Sequence, residues 1–386
     1  MLTEPDTIYL DNASTSYPKP NAVHEVLAHY YDKPIGSYGR NGDLNTIRTA
    51  GVIEDLRDLL ASKIGADGLG SHMIFTHNST DGINRVLNGL PPLQPHEVVI
   101  SPMEHNSVTR PLYAKLRGQS PLILPHLTDG GINIEMLYEF LEECKKSTSI
   151  KLVILNEMSN VNGVTQPIAE VIKTFREAFP ESQILIDASQ SFPYTQPLLT
   201  QLLPDFLVMT GHKGSLGPTG TGALFILHPE SLTPSVQGGN GYRSEEQAIS
   251  PYMPDRFEAG TLNMLGLTAW YAALTSLESI HIEREVWLEH LIKVKSIPGI
   301  KVYSSNDSET QGPLYSIRSE KFTPSQLGDQ LMHRYHISTR SGLHCAPLAH
   351  RSLGTLPEGT TRISISALTP NSYLETLYQS LYELHQ

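Results

Sequence analysis

Along the first two-thirds of the chain, short apolar runs alternate with longer stretches whose apolar residues recur every three or four positions. Residues 72–75, 98–100, 121–124, 152–155, 184–186 and 206–208 read as strands. They are apolar at successive positions rather than at alternate ones, the pattern of strands covered on both faces. Between them the spacing predicts helices over 44–64, 81–87, 106–116 and 169–178. Strand followed by helix, repeated, predicts an α/β fold with a mostly parallel sheet and helices on both sides. Residues 222–227 read as one further strand after a glycine turn.

Beyond about residue 260 the texture changes. Helical patterns cover 265–277, 283–294 and 324–332, and a last one starts at Ser372. Short strand patterns fall at 300–303, 314–317 and 361–365. A smaller C-terminal α/β domain is expected, and 386 residues exceed a comfortable single core. The expected division is a large domain over 19–265 and a small one from 1–18 together with 266–386. Residues 237–254, with their glycines and prolines, read as a long loop, and loops of that length tend to be functional.

Charge and cysteine content narrow the classes. A net charge of −12 argues against nucleic-acid partners and anionic membrane surfaces. Two cysteines, Cys144 and Cys345, make no disulfide framework and no metal-binding spacing, so no metal is expected. No basic stretch leads into an apolar one at the start, and no apolar run approaches the roughly 20 residues of a membrane span. A cytoplasmic protein without a membrane partner is the expectation.

The strongest chemical signal is DFLVMTGHKGSLGPTGTG, residues 205–222. An apolar strand ends in Thr-Gly-His-Lys, and four glycines follow Lys213. Desolvation lowers a lysine's pKa and frees its amine to attack an aldehyde, the opening of Schiff-base chemistry. A surface-loop lysine is the bland alternative. Asp187 ends another apolar strand 26 residues upstream, in LIDASQ. A carboxylate there suits the ring nitrogen of pyridoxal phosphate, which must stay protonated to draw electrons; a helix cap is the ordinary reading. Ser79 and Thr80 open a helix after a third strand, where backbone N–H groups and hydroxyls suit a phosphate, or where one of them simply caps. His105 follows a fourth strand and could stack on a flat cofactor or shuttle protons, although a lone histidine is more often just hydrogen-bonded. Asn160, after a fifth strand, offers a donor to a phenolate oxygen.

The motifs YLDNAST, STDGIN, MEHNS, SNVNG, IDASQ, TGHK, FEAGT and RSGLHCAP stand in the order seen in class V aminotransferase-like enzymes. Nearly the whole chain, from about residue 8, resembles that family, in particular its cysteine desulfurase and selenocysteine lyase branch. The resemblance implies a fold-type-I pyridoxal-phosphate homodimer with Lys213 as the Schiff-base lysine and Asp187 at the ring nitrogen. Gln190 and Asn160 would face the phenolic oxygen. Ser79, Thr80, Thr210 and His212 would surround the phosphate, and Thr261 would reach the phosphate in the other subunit. Arg362 would pair with the substrate carboxylate through its planar fork. Asn12 and Arg40 look like further pocket or dimer-contributed positions. Cys345 becomes the nucleophile that takes sulfur from L-cysteine as a persulfide, leaving L-alanine, before passing it to an acceptor, in some pathways a protein. Arg340, His344, His350 and Arg351 lie near it in sequence, a potential source of positive charge for a thiolate. Cys144, on a helical stretch, keeps the reading of an inert buried thiol.

Two departures touch substrate preference. Leu262 stands where the family has proline in GTPN, and Ala367–Asn371 replaces its usual Asn-Thr pair. Selenocysteine lyase is a close alternative, a class V transaminase or lyase on another amino acid a second, and a cofactor-binding scaffold without turnover a third.

Overall fold

The computed structural model describes residues 7–32, 38, 44–194, 202–239 and 246–386. Seven strands form the main sheet, in the spatial order Met73–Thr76, Gly222–Ile226, Phe206–Thr210, Gln183–Asp187, Leu152–Asn156, Val98–Ile100, Leu122–Ile123. Neighbours pair in parallel except at Gly222–Ile226, which is antiparallel to both of its neighbours. The connection explains the exception. Only residues 211–221 separate it from Phe206–Thr210, too few for a helical crossover.

The uniformly apolar strands are indeed covered twice. Met73, Phe75, Val153, Leu155, Ile184, Ile186, Leu207 and Met209 pack on one face with Ile53, Phe175 and Trp270. Their neighbours Ile74, Leu152, Ile154, Leu185, Phe206 and Val208 pack on the other with Ile83, Val86, Val108 and Leu112. Successive strand residues point to opposite faces, so a strand between two helix layers has no polar face to show.

The helices fall close to expectation, as Leu44–Lys63, Ser79–Gly89, Asn106–Lys115 and Ile168–Ala178. Two close approaches set Ser79–Gly89 over the sheet. A Cβ on Gly82 would lie 2.9 Å from Val208 Cγ1, and one on Gly222 would lie 2.7 Å from Asn78 Cα. Glycine at both places lets the helix start lie against the strand ends.

The remaining strands form two smaller sheets. Arg340–Gly342, Thr360–Ser364, Leu314–Ser319 and Ile300–Tyr303 make an antiparallel sheet in that order. Ile8–Tyr9 pairs in parallel with Ile337–Ser338. Leu10 shares a buried cluster with Trp287, Tyr315, Ile363 and Leu377. The helix Met264–Ser276 instead buries Met264, Leu267, Trp270 and Leu274 against the main sheet.

Several elements were not anticipated from the pattern: the helix Asn21–His29, both strands of the two-residue pair, Arg340–Gly342, and the short helix Pro347–Ser352 just past Cys345. The described part of 237–254 contains no helix or strand. No helix among the described residues is long and apolar enough to cross a membrane.

Candidate active site

Five strands of the main sheet end on one side, and the segments that leave them enclose a cavity. Ser79, Thr80, His105, Asn160, Asp187, Gln190, Thr210, His212 and Lys213 all line it. A sheet's carboxyl edge collects ligands because loops and helix N-termini converge there.

Lys213 sits in a turn just past Phe206–Thr210. Leu216 N–H donates to its carbonyl at 2.9 Å. Ser215 Oγ donates to Thr210 and Gly211 carbonyls and accepts from the indole N–H of buried Trp270 at 3.0 Å. Burial drives the Lys213 pKa down to about 8, opposed by Asp187 and helped by the charges of Arg362 and Arg340. Asp187 is buried, accepting from Ser189 N–H at 3.0 Å, from Ser189 Oγ, and from Ser107 Oγ at 3.4 Å.

His105 caps the helix Asn106–Lys115, its Nδ1 accepting Ser107 N–H at 3.0 Å. Burial, then Lys213, pushes its pKa down to about 4, so the ring is neutral, and the accepting Nδ1 assigns its proton to Nε2. The cap of the Ser79 helix is Asn78, whose Oδ1 accepts Asp81 N–H at 2.9 Å, rather than Ser79 or Thr80. Ser79 is thereby left without a capping duty.

Four polar atoms in this lining are buried and have no hydrogen-bond partner: Ser79 Oγ, Asn156 Oδ1, Asn160 Oδ1 and His212 Nδ1. Buried polar atoms are rarely left so, and a cluster of them marks a place built for a polar ligand. Burial, then Lys213 and Lys19, lowers the His212 pKa to about 4, leaving a neutral ring. An amine poised near neutrality, a buried carboxylate, a helix N-terminus and these orphaned atoms are the donor set that pyridoxal phosphate requires.

The other expected residues divide. Gln190 lines the cavity, but its Nε2 donates to Ala13 carbonyl at 2.9 Å. Asn160 spends one N–H on His344 carbonyl at 2.8 Å. Thr210 Oγ1 donates to Thr221 carbonyl at 3.3 Å. Asn12, expected in the substrate pocket, has its amide committed to backbone: Nδ2 donates to Ser364 carbonyl at 3.1 Å and Oδ1 accepts Tyr17 N–H at 3.0 Å. These bonds pin the N-terminal segment, and Asn12 also lines a small cavity with Ala13, Gln190 and Lys213. Thr261 is exposed and lines a different depression, with His77 and Leu262, not the Lys213 cavity. Arg40 lies outside the described residues.

Arg340 and Arg362 face each other across paired strands and converge on Ser14 Oγ, at 2.7 and 3.0 Å. Arg362 is buried and also donates to Asn160 carbonyl at 2.9 Å and to Asp11 Oδ1 at 2.6 Å. Arg340 Nη2 lies 3.6 Å from Cys345 Sγ. Cys345 is exposed. It and His344 both have positive φ, 55° and 48°, a conformation that costs a side-chain-bearing residue about 1–2 kcal/mol. Asn106 N–H holds the Cys345 carbonyl at 2.8 Å, fixing the thiol's segment beside His105.

The histidines near Cys345 do not supply the positive charge expected of them. His344 donates or accepts at Thr360 Oγ1 and His350 at Thr355 Oγ1, at 2.9 and 2.7 Å, and both are buried. Burial drives both pKa values well down, so both rings are neutral. The charge beside the sulfur comes from Arg340.

Some contributors were not picked out from the sequence. Asn156 lines the cavity from outside every motif quoted above, while Ser107 and Ser189 lie within MEHNS and IDASQ without a role having been read for them. The segment Thr15–Lys19 grips the His212 carbonyl through Ser16 N–H and the Lys19 ammonium, at 2.9 and 3.2 Å, bracing the residue before Lys213 from the far end of the chain.

The sheet order, with a lysine and a carboxylate at the ends of adjacent strands, is that of the fold-type-I transferases. The class-V aminotransferase family profile matches residues 8–377, and the chain belongs to that family. It is 29% identical to a probable cysteine desulfurase of Streptomyces coelicolor, over 97% of this chain and 91% of that one. A probable cysteine desulfurase of Halalkalibacterium halodurans is 30% identical over 88% and 84%. Among solved structures, the apo cysteine desulfurase of Thermococcus onnurineus aligns with a TM-score of 0.85 at 25% identity, covering 98% of this chain and 95% of that one. CsdA (S-sulfonic acid), a cysteine desulfurase of Escherichia coli, aligns with 0.82 at 25% identity over 98% and 96%.

Proposed function

We propose that this chain is a pyridoxal-phosphate-dependent cysteine desulfurase, converting L-cysteine to L-alanine with the sulfur passed to Cys345 as a persulfide and then to an acceptor. The observation that carries it is the pairing of an enclosed Lys213–Asp187 cavity with an exposed thiol held beside it at Arg340. Lys213 would hold the cofactor covalently. With its pKa near 8, a useful share of its amine is unprotonated at neutral pH. Asp187 would face the ring nitrogen, Ser79, Thr80, Thr210 and His212 the phosphate, and Asn160 and Gln190 the phenolic oxygen, while His105 would stack on the ring. When bound, the cofactor supplies an electron sink for the bonds broken at the substrate's α-carbon.

The chain's own groups do the rest. Arg362 takes the substrate carboxylate, in exchange for its contact with Asp11. The Lys213 amine and neutral His105 would move protons at the substrate. The Cys345 thiolate attacks the substrate sulfur. An S–S bond forms, the Cβ–S bond breaks, and its electron pair stays with Cβ, which is protonated to the methyl group of alanine. Arg340 steadies the attacking sulfur.

Thr261, exposed and away from its own chain's cavity, fits a homodimer in which it reaches the partner's phosphate. A reactive thiol that must stay reduced fits the cytoplasm. A large unit over 19–265 and a small one over 1–18 and 266–386 remain part of the reading, with the packing of Met264–Ser276 against the main sheet favouring its assignment to the large unit.

The test is product analysis with cofactor-loaded protein, L-cysteine and a thiol reductant. Alanine and sulfide in equal amounts are expected. A cofactor absorbance change without sulfide would reject L-cysteine as the substrate, with selenocysteine the next to try.

A further inference from the structure

One carboxyl beneath the site has no part in this chemistry. Glu104 is fully buried immediately before His105. Its Oε1 accepts Ser101 Oγ at 2.7 Å, and its Oε2 has no hydrogen-bond partner. Ser101 Oγ also accepts Asn156 N–H at 3.3 Å, an N–H that faces the same carboxyl. Asn156 pairs across the sheet with Asp187, and the Asp187 charge bears on Glu104. No described Lys, Arg or His forms an ion pair with Glu104.

Two neighbouring buried carboxyls cannot both ionise cheaply. Which one keeps the proton follows from the neighbouring cation. Asp187 faces the charge of Lys213 and accepts Ser189 N–H and the Ser189 and Ser107 hydroxyls, whereas Glu104 has the Ser101 hydroxyl and the Asn156 and Ser101 backbone N–H groups but no paired cation. A buried carboxylate without a cation costs far more than a buried neutral acid.

We propose that Glu104 stands as a neutral carboxylic acid under the cavity floor, a positioning residue that leaves Asp187 the ionised carboxylate there and anchors the turn carrying His105. Burial, only partly offset by the Ser101 hydroxyl and reinforced by Asp187, pushes its pKa up to about 8, in keeping with the packing. The functional consequence rests on the cofactor reading above; the protonation state rests on packing alone.

The test compares wild type with Glu104→Gln by thermal unfolding, with and without pyridoxal phosphate, and by cofactor titration. An acid neutral when folded but ionised when unfolded loses stability as pH rises from 4.5 to about 8. Glutamine has no proton to lose. The variant's unfolding midpoint, relative to wild type, should therefore rise across that window. A difference that stays flat or falls would show an ionised Glu104 and overturn the proposal. Glu104→Gln should bind cofactor within about two-fold of wild type, and Glu104→Asp, too short to reach Ser101, about ten-fold more weakly. A ten-fold loss in Glu104→Gln would mean that the site uses the charge, and would also overturn it. A protein that bound no cofactor would sink the reading of the site, while the cofactor-free melts would still decide the state of Glu104.

Discussion

The two cysteines of this chain occupy opposite environments. Cys144 is buried on the helix Ile134–Ser147, packed into the apolar cluster on one face of the main sheet. Burial, then Glu143, pushes its thiol pKa up. Cys345 is exposed, sits in a left-handed backbone conformation, and has a guanidinium 3.6 Å from its sulfur. The same side chain is a small hydrophobe in one place and a candidate nucleophile in the other. What separates them is the desolvation of the thiolate against the supply of positive charge and access.

Exchanging each cysteine for alanine should split these roles most sharply. Cys345→Ala should cut sulfide release from L-cysteine by about 10³-fold or more, with cofactor binding intact. If Cys345→Ala instead prevents cofactor binding, the residue is structural. Cys144→Ala should leave the rate unchanged and lower stability by about 1 kcal/mol, read in a denaturant melt.

Next in size is Arg362→Ala. Loss of a charged, forked partner should raise KM for L-cysteine about 10- to 100-fold, with a smaller change in kcat. A kcat loss at unchanged KM would place the substrate carboxylate elsewhere. The smallest expected effect sharpens the contrast itself. Arg340→Gln should slow iodoacetamide labelling of Cys345 at neutral pH by about two- to five-fold, the reach of a partly exposed ion pair. Cys144 should stay unlabelled in both proteins. An unchanged Cys345 rate would remove Arg340 from the thiolate's support.

Much of this arrangement was legible along the chain, and the exceptions share a cause. Strands such as Leu152–Asn156 and Phe206–Thr210 announce themselves because burial on both faces leaves no polar position. Ile8–Tyr9 and Arg340–Gly342 are two and three residues long and exist through pairing with distant strands, so they carry no period of their own. The same holds in the site. Lys213 and Asp187 stand at strand ends, where sequence alone points to them. The neutrality of His344 and His350 depends on burial among residues far along the chain, and nearness to Cys345 in sequence says nothing of it. Asn12 sits within a motif, but the motif does not show that its amide binds the Ser364 carbonyl and the Tyr17 N–H. Ser14, where two arginines meet, lies more than 300 positions from either.

The most direct measurement is peptide mass spectrometry of cofactor-loaded protein after brief exposure to L-cysteine, without reductant and with alkylation to trap persulfides. One added sulfur should appear on the peptide containing Cys345 and none on that containing Cys144, and it should vanish in Lys213→Ala. Alanine formed with no sulfur on Cys345, or equal labelling of both cysteines, would contradict transfer through Cys345.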